Sequence, residues 1–83
     1  MERAAVESTT MRSVGYDPAE RILEIEFATG MIYRYLEVPA GVFDELMQAA
    51  SKGRYFNHEI RENYLALRVL PAPPRSRTRR APG

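Results

Sequence analysis

The stretch from Ile22 to Tyr35, ILEIEFATGMIYRY, predicts a β-hairpin. Apolar and acidic residues alternate from Leu23 to Phe27, which is the period-two pattern of a strand buried on one side. If Ala28-Thr29-Gly30 is a three-residue loop, Gly30 takes the left-handed backbone conformation that such a loop needs. This segment therefore predicts two antiparallel strands joined by a tight turn.

The length of that loop also decides how the two strands pair. A three-residue loop places Ile25 opposite Tyr33 on an apolar face, and Glu24 opposite Arg34 on the other face. A two-residue turn would instead place Tyr33 opposite Glu26. We therefore expect the three-residue loop, because only its register gives one continuous apolar face and a pair of opposite charges.

Further strands and helices are predicted on both sides of the hairpin. Residues 9–16 predict a preceding strand, and Asp17-Pro18 supplies turn chemistry after it. Apolar residues recur at helical spacing from Val42 to Ala50, with Gly53 as a left-handed stop signal. A shorter helix is expected over residues 54–63 and a final strand over residues 64–70. The predicted fold class is α+β, a small antiparallel sheet of about four strands packed on a two-helix hairpin, in the order β-β-β-α-α-β.

Length and composition limit the kind of protein this can be. The 83 residues suit a single domain, which we expect over residues 8–70. The absence of cysteine excludes disulfides and thiolate metal sites. The first residues are polar, and no apolar run approaches the roughly 20 residues that cross a bilayer. We therefore expect a cytoplasmic protein with no membrane partner.

Charge is distributed unevenly along the chain. Residues 1–70 carry eight basic and eleven acidic side chains, a net charge of −3. The last thirteen residues, PAPPRSRTRRAPG, carry four arginines and four prolines and no large apolar side chain. This composition predicts a disordered tail over residues 71–83. A basic tail on a mildly acidic body suggests a polyanionic partner.

No set of residues in the sequence predicts catalysis. His58 is the one histidine, and it lacks a second histidine or a cysteine to complete a metal site. His58 and Glu59 are adjacent on a predicted helix and therefore point in different directions. The serines stand in no nucleophile motif, and no glycine-rich phosphate loop is present. We expect no enzyme activity and no cofactor.

Several motifs follow one another in an order that is typical of one family. They are Gly30-x-x-Tyr33-x-Tyr35-x-x-Val38-Pro39, then Ser51-Lys52-Gly53-x-Tyr55-Phe56-Asn57, then Tyr64-x-x-x-Arg68. Residues 8–70 thereby resemble the KTSC domain family, which is named for its occurrence at the C-terminus of some lysyl-tRNA synthetases and is also found alone in bacteria and phages. The resemblance implies the α+β fold and, by association, RNA. It implies no established catalytic activity.

Two binding functions remain open from the sequence. The first is accessory RNA or DNA binding, because Arg54, His58 and Arg61 recur at helical spacing and form one cationic stripe. Lys52 and Arg54 could also hold a phosphate at the start of the second helix, although a purely structural helix corner explains the same residues. The nucleic-acid hypothesis names these residues: Lys52, Arg54, His58, Arg61, Arg75, Arg77, Arg79 and Arg80.

The second possible function is a protein-interaction module that forms a homodimer or docks a protein partner. In the predicted register, Ile32 and Leu36 share the sheet face opposite Tyr33 and Tyr35, and a leftover apolar strip often marks an interface. The tyrosines allow another interpretation, since aromatic rings on a sheet can stack on nucleobases. The register favours a core position for Tyr33 and Tyr35.

Overall fold

The structure is a computed structural model, and it describes residues 3–69. Five strands form one antiparallel sheet, in which each strand lies next to its neighbours in sequence. They are β1 (Ala4–Ala5), β2 (Met11–Asp17), β3 (Ile22–Phe27), β4 (Ile32–Tyr35) and β5 (Ala66–Val69). Between β4 and β5 lie α1 (Ala40–Gln48), the short α2 (Lys52–Tyr55) and a π-helical turn (Phe56–Ile60). The predicted α+β class is confirmed, with one strand more than expected.

The additional strand is β1, which precedes the strand that we predicted first. Its two residues pair antiparallel with β2, with Ala4 opposite Val14 and Ala5 opposite Ser13. Two alanines carry no alternating pattern, so the sequence gives no signal for this strand. The order is therefore β-β-β-β-α-α-β, with the π turn directly after the second helix.

The central hairpin has the predicted loop and register. Gly30 has φ +94°, and its N–H donates to the carbonyl oxygen of Phe27 at 2.9 Å. Ile25 lies opposite Tyr33, and Glu24 lies opposite Arg34. The three-residue loop is confirmed, and the apolar face of the hairpin is continuous.

The two helices and the π turn cover that apolar face. Residues from the sheet and from the helical segment form one buried core, which comprises Met11, Val14, Leu23, Ile25, Tyr35, Val38, Leu46, Phe56 and Ile60. At one side of this core the rings of Tyr16 and Phe43 stack, with centroids 5.1 Å apart. The Tyr16 hydroxyl donates to the Val38 carbonyl at 2.5 Å, so it ties β2 to the segment that enters α1.

The corner between the helices corrects one prediction. Gly53 is not a left-handed stop after α1, because α1 ends at Gln48 and Gly53 lies inside α2. Gly30 is the one glycine with positive φ among residues 3–69. A Cβ at Gly53 would lie 2.5 Å from Thr10 Oγ1, so the position needs glycine because the chain passes close to another side chain.

The predicted tail lies outside the described residues, and its disorder stays a prediction. The same holds for Leu70, the last residue of the expected domain. Within residues 3–69, none of the helices combines the length and apolar character needed to span a bilayer.

Candidate functional site

Arg61 directly follows the π turn, and the geometry of this turn determines which surface Arg61 reaches. The Arg61 N–H donates to the Phe56 carbonyl at 2.9 Å, an i to i+5 bond that takes one more residue into the turn than an α-helix does. Phe56 and Ile60 on this turn are buried in the core. Arg54 and His58 line one groove and Arg61 lines another, so the single cationic stripe expected from regular helical spacing does not form.

Arg61 instead stands at a groove between the turn and the sheet, which we call the aromatic groove. The groove has a volume of about 560 Å³, within the range of small-ligand sites. It runs past the β3–β4 loop and the segment that precedes β2. Its lining residues are Thr9, Thr10, Phe27, Ala28, Thr29, Met31, Tyr33, Tyr35, Phe56 and Arg61.

Four aromatic rings form the floor of the aromatic groove. Phe27 packs edge-on against Tyr33 and against Phe56, with ring centroids 5.8 and 5.2 Å apart. Tyr35 packs edge-on against Phe56 at 5.5 Å and lies 6.4 Å from Tyr33. Tyr35 and Phe56 are 5% and 6% exposed, whereas Phe27 and Tyr33 are half-buried. A ligand would therefore reach the rings of Phe27 and Tyr33 first.

The charge of the aromatic groove is positive as far as residues 3–69 show it. Among those residues, Arg61 is the one charged residue of the lining, and none of the acidic side chains belongs to it. Burial raises the pKa of Tyr35 to about 12, the neighbouring Tyr33 adds to the rise, and the positive charge of Arg61 opposes it. Arg61 is thus close enough to act on the groove floor electrostatically, and the Tyr35 hydroxyl stays protonated at neutral pH.

A second arginine lies near the far end of the aromatic groove. Arg68 on β5 pairs with Tyr33 across the sheet, and its guanidinium lies 3.9 Å from the sulfur of Met31. Among residues 3–69, neither Arg61 nor Arg68 forms an ion pair with a carboxylate. Within the described part of the chain, no carboxylate therefore competes with an anion for either guanidinium group.

Arg54 and His58 lie together at a different groove. Both are exposed, and they share this groove with Tyr55 and with the acidic Glu59. The Tyr55 hydroxyl donates to Glu45 at 2.8 Å, and burial together with that bond raises the pKa of Tyr55 to about 12. The carboxylate of Glu59 in this lining, and that of Glu45 hydrogen-bonded to Tyr55, make this groove a poorer place for a polyanion than the aromatic groove.

Lys52 belongs to a third groove, which it shares with Glu7, Thr9 and Thr10. Its ammonium group donates to the Ala49 carbonyl at 3.4 Å. The alternative phosphate site of Lys52 and Arg54 lies at the start of a helix of four residues, where the N–H of Arg54 donates to Ser51 Oγ, as it would in a structural helix corner. The four tail arginines, Arg75, Arg77, Arg79 and Arg80, lie outside the described residues.

The sheet face opposite the helices contains the predicted interface residues. Ile32 and Leu36 are both half-buried, and the Leu36 N–H donates to the Leu65 carbonyl at 2.9 Å. The large apolar side chains that this end of the molecule exposes are Leu65 and Leu67, which are 67% and 50% exposed. Any apolar strip on this face therefore centres on Leu67 of the edge strand β5, with Ile32 beside it.

The middle of that outer face is an ion-pair network. Glu24 is 4% exposed and accepts hydrogen bonds from Arg34, at 2.7 Å, and from Arg3. Burial alone would raise the pKa of Glu24, but the hydrogen bonds and positive charges of Arg34 and Arg3 together lower it. The predicted Glu24–Arg34 pair is confirmed, and Arg3 reaches it because β1 adds to the edge of β2. Arg3 and Arg34 are thus already paired with a carboxylate, whereas Arg61 forms no such pair within residues 3–69.

Several features of the aromatic groove could not be seen in the sequence. The strand register already placed Phe27 and Tyr33 on one face, and that was a usable signal. The approach of Phe56 and Arg61 to this face depends on the π turn, for which we know no sequence pattern. Among residues 3–69, no group of three or more histidine, aspartate or glutamate side chains is arranged to hold a metal ion.

Comparison with known proteins identifies the family of this sequence. The sequence model of the KTSC domain family matches residues 7–64 of this chain. A crystal structure of a KTSC domain protein from Yersinia pestis superposes with a TM-score of 0.78 at 40% identity, covering 82% of this chain and 96% of that chain.

Relatives occur both as small proteins and within larger ones. An uncharacterized protein of Stutzerimonas stutzeri (strain A1501) is 45% identical over 64 residues, which cover 77% of this chain and 90% of the relative. A lysine–tRNA ligase of Nostoc sp. (strain PCC 7120) is 38% identical over 58 residues, which cover 70% of this chain but 10% of the ligase.

Proposed function

This chain belongs to the KTSC domain family, and we propose that it is a small non-enzymatic module that binds nucleic acid, with RNA as the preferred ligand. The preference for RNA is supported by the relatives named as lysine–tRNA ligases, in which a similar segment forms part of a protein whose name refers to a tRNA. The similarity covers a tenth of those ligases, so their catalytic activity is not carried over to this chain.

The observation that carries the proposal is the position of Arg61 at the aromatic groove. A nucleic acid presents phosphates and flat bases, and proteins that bind single strands combine cationic side chains with aromatic ones. Arg61 and the aromatic rings meet in a groove whose lining contains no carboxylate. Two other groups of cations are less suitable, because Arg54 and His58 lie beside Glu59, and Arg3 and Arg34 are paired with Glu24.

The tail arginines would add a second, less specific contribution. Residues 1–70 carry a net charge of −3, so long-range electrostatics disfavour a polyanion unless cations act locally. Four arginines that each neutralise one phosphate give a log–log salt slope of about −3 to −4 on duplex DNA, and a smaller slope on single strands. The tail would thus increase affinity for any nucleic acid, while the groove would confer the preference for unpaired RNA.

An electrophoretic mobility shift assay tests this function. The full chain is titrated into total tRNA and into a random-sequence DNA duplex at about 50 and about 200 mM salt, a range over which phosphate contacts lose most of their effect. A variant with glutamine at all four tail arginines should lose most of its duplex affinity and flatten the salt slope. Its preference for tRNA over duplex DNA should remain.

A matched pair of helix variants separates the two cation positions. Arg61→Glu should weaken tRNA binding further in the tail variant, whereas Arg54→Glu, with the same charge change on the same helical segment, should weaken it much less. No shift with either nucleic acid at the lower salt concentration would contradict the proposal.

A second candidate function is self-association through the edge of the sheet. It is favoured by the exposure of Leu65 and Leu67, at 67% and 50%, at and just before the edge strand β5. An edge strand with exposed apolar side chains can pair with another chain. Self-association alone would leave the position of Arg61 at the aromatic groove without a role.

A further inference from the structure

We infer that the aromatic groove is a stacking site for one unpaired RNA base, with Tyr33 as the ring that the base covers and Arg61 beside the adjoining phosphate. This inference rests on the proposed nucleic-acid binding and makes it more specific, because it names the part of the RNA that is recognised.

Burial distinguishes Tyr33 and Phe27 from the other two rings of the groove. Tyr35 and Phe56 are 5% and 6% exposed, so their rings serve mainly the core. Tyr33 is half-buried, and Phe27 supports it edge-on at an interplanar angle of 78°. A ring that is held by its neighbours and still exposes part of its surface loses little entropy when a base stacks on it.

The positions of the charged and hydroxyl groups favour a nucleotide over a purely apolar ligand. Arg61 is held at the groove by the bond from its N–H to the Phe56 carbonyl, and π turns of this kind occur frequently at functional sites. Thr9, Thr10 and Thr29 belong to the lining, and a threonine hydroxyl can donate to or accept from the polar edge of a base. An apolar peptide side chain would use neither the guanidinium nor the hydroxyls.

An unpaired base fits this arrangement better than a base pair does. In an RNA duplex both faces of each base are already stacked, and proteins that read RNA by stacking therefore bind loops and single strands. The rings of the groove belong to a concave surface between the sheet and the π turn, which a single splayed base can enter. The inference thus predicts preference for unpaired RNA within a tRNA or an oligonucleotide.

The test compares a fluorescein-labelled adenosine RNA decamer with an abasic decamer of the same length and charge, using the full chain and fluorescence anisotropy. Stacking on aromatic side chains is worth enough per base that the abasic decamer should bind about 5-fold or more weakly. Tyr33→Leu should remove most of this difference and leave the abasic affinity unchanged. Arg61→Gln should weaken binding of both decamers, and Arg54→Gln, the matched control, of neither.

A second measurement uses the wild-type chain and so does not depend on whether the Tyr33→Leu variant folds. A decamer with one 2-aminopurine should lose fluorescence when that base stacks in the groove. Equal affinity for the two decamers, or unchanged 2-aminopurine emission at saturation, would overturn the stacking site while leaving nucleic-acid binding intact. Failure of the wild-type chain to bind either decamer would overturn both the stacking site and the proposed function.

Discussion

Gly53 lies where the first turn of α2 passes Thr10, and the space between them admits no side chain. A Cβ at position 53 would lie 2.5 Å from Thr10 Oγ1 and 3.2 Å from Thr10 Cβ. Threonine is stiff about χ1, so its hydroxyl cannot simply swing away. The contact holds the corner of the helices against the segment that enters β2, and both residues adjoin the grooves described above.

Gly53→Ala should therefore destabilise the protein, by about 1–3 kcal/mol, as overpacked positions do. Urea melts followed by circular dichroism measure the loss. The Gly53→Ala and Thr10→Ala double variant should recover part of it, because the Oγ1 that collides is gone. If Gly53→Ala lowers the free energy of unfolding no more than a substitution at an exposed site does, then Gly53 and Thr10 do not lie as close together as described.

Gly30 is required for a different reason, its backbone conformation. At φ +94° a β-branched residue is strained, so Gly30→Val should cost more than about 1 kcal/mol although nothing lies within 4 Å of its Cβ position. Gly41→Ala is the control, since Gly41 also has open space but sits in α1, where alanine favours the helix by about 1 kcal/mol. Equal effects of the two variants in urea melts would contradict this explanation.

The two glycines differ in whether the sequence predicts why glycine is needed. The role of Gly30 follows from the sequence, because the loop length and the pairing of Glu24 with Arg34 constrain each other. The role of Gly53 does not, because its neighbour Thr10 lies more than forty residues away in the chain. Contacts of that kind are set by tertiary packing, which local patterns do not encode.

At the level of strands and helices, the outer face of the sheet depends on one buried carboxylate. Glu24 accepts hydrogen bonds from Arg34 and Arg3, which hold its pKa below the ordinary glutamate value of 4.5. A lowered pKa means that this stabilisation is present above about pH 4.5 and is lost as the pH falls through the pKa of the folded state.

Glu24→Gln should thus lower the free energy of unfolding at pH 7 by about 1–3 kcal/mol, the usual size for a charge-assisted hydrogen bond, and lower it less at pH 3. Asp44→Asn on the exposed surface of α1 is the control and should change neither value much. Urea midpoints at both pH values provide the measurement. A deficit for Glu24→Gln that grows toward pH 3 would show that the sign of the linkage is wrong.

The strands and helices also differ in how far sequence predicts them. The hairpin of β3 and β4 and the start of α1 after Pro39 follow from alternation, loop length and helical spacing. The strand β1 escapes prediction because it is held by Arg3, whose side chain reaches Ser13 and Glu24 from the edge of the sheet. The π turn is not predicted from the sequence, because the position of its additional residue depends on the burial of Phe56 and Ile60 in the core.

For the whole molecule, the exposed edge of the sheet predicts self-association at high concentration. Leu67 is 50% exposed on β5 and lies on the same face as Ile32. Leu67→Lys should weaken any self-association seen by sedimentation, since charge on an edge strand opposes pairing. The effect of Ile32→Lys on self-association should be harder to interpret, because Ile32 is half-buried and its replacement also destabilises the fold. A wild-type chain that stays monomeric near millimolar concentration would remove this candidate.

The candidate site was only partly accessible from the sequence. The arginines and aromatic residues were each recognisable, but regular helical spacing grouped Arg61 with Arg54 and His58. The structure places Arg61 at the aromatic groove with Tyr33, and leaves the other two beside Glu59. The π turn over Phe56–Ile60 separates Arg61 from the other two cations, and two of its residues, Phe56 and Ile60, are buried in the core.

An NMR titration of the full ¹⁵N-labelled chain with the adenosine RNA decamer tests most directly whether the aromatic groove binds RNA. The amide signals that shift most should belong to the groove, namely to Thr10, Ala28, Thr29, Met31 and Arg61. Those of Leu67 and of Arg54 should move little. Shifts confined to residues 71–83, or centred on β5, would contradict this account and place RNA binding, or the interaction surface, elsewhere on the molecule.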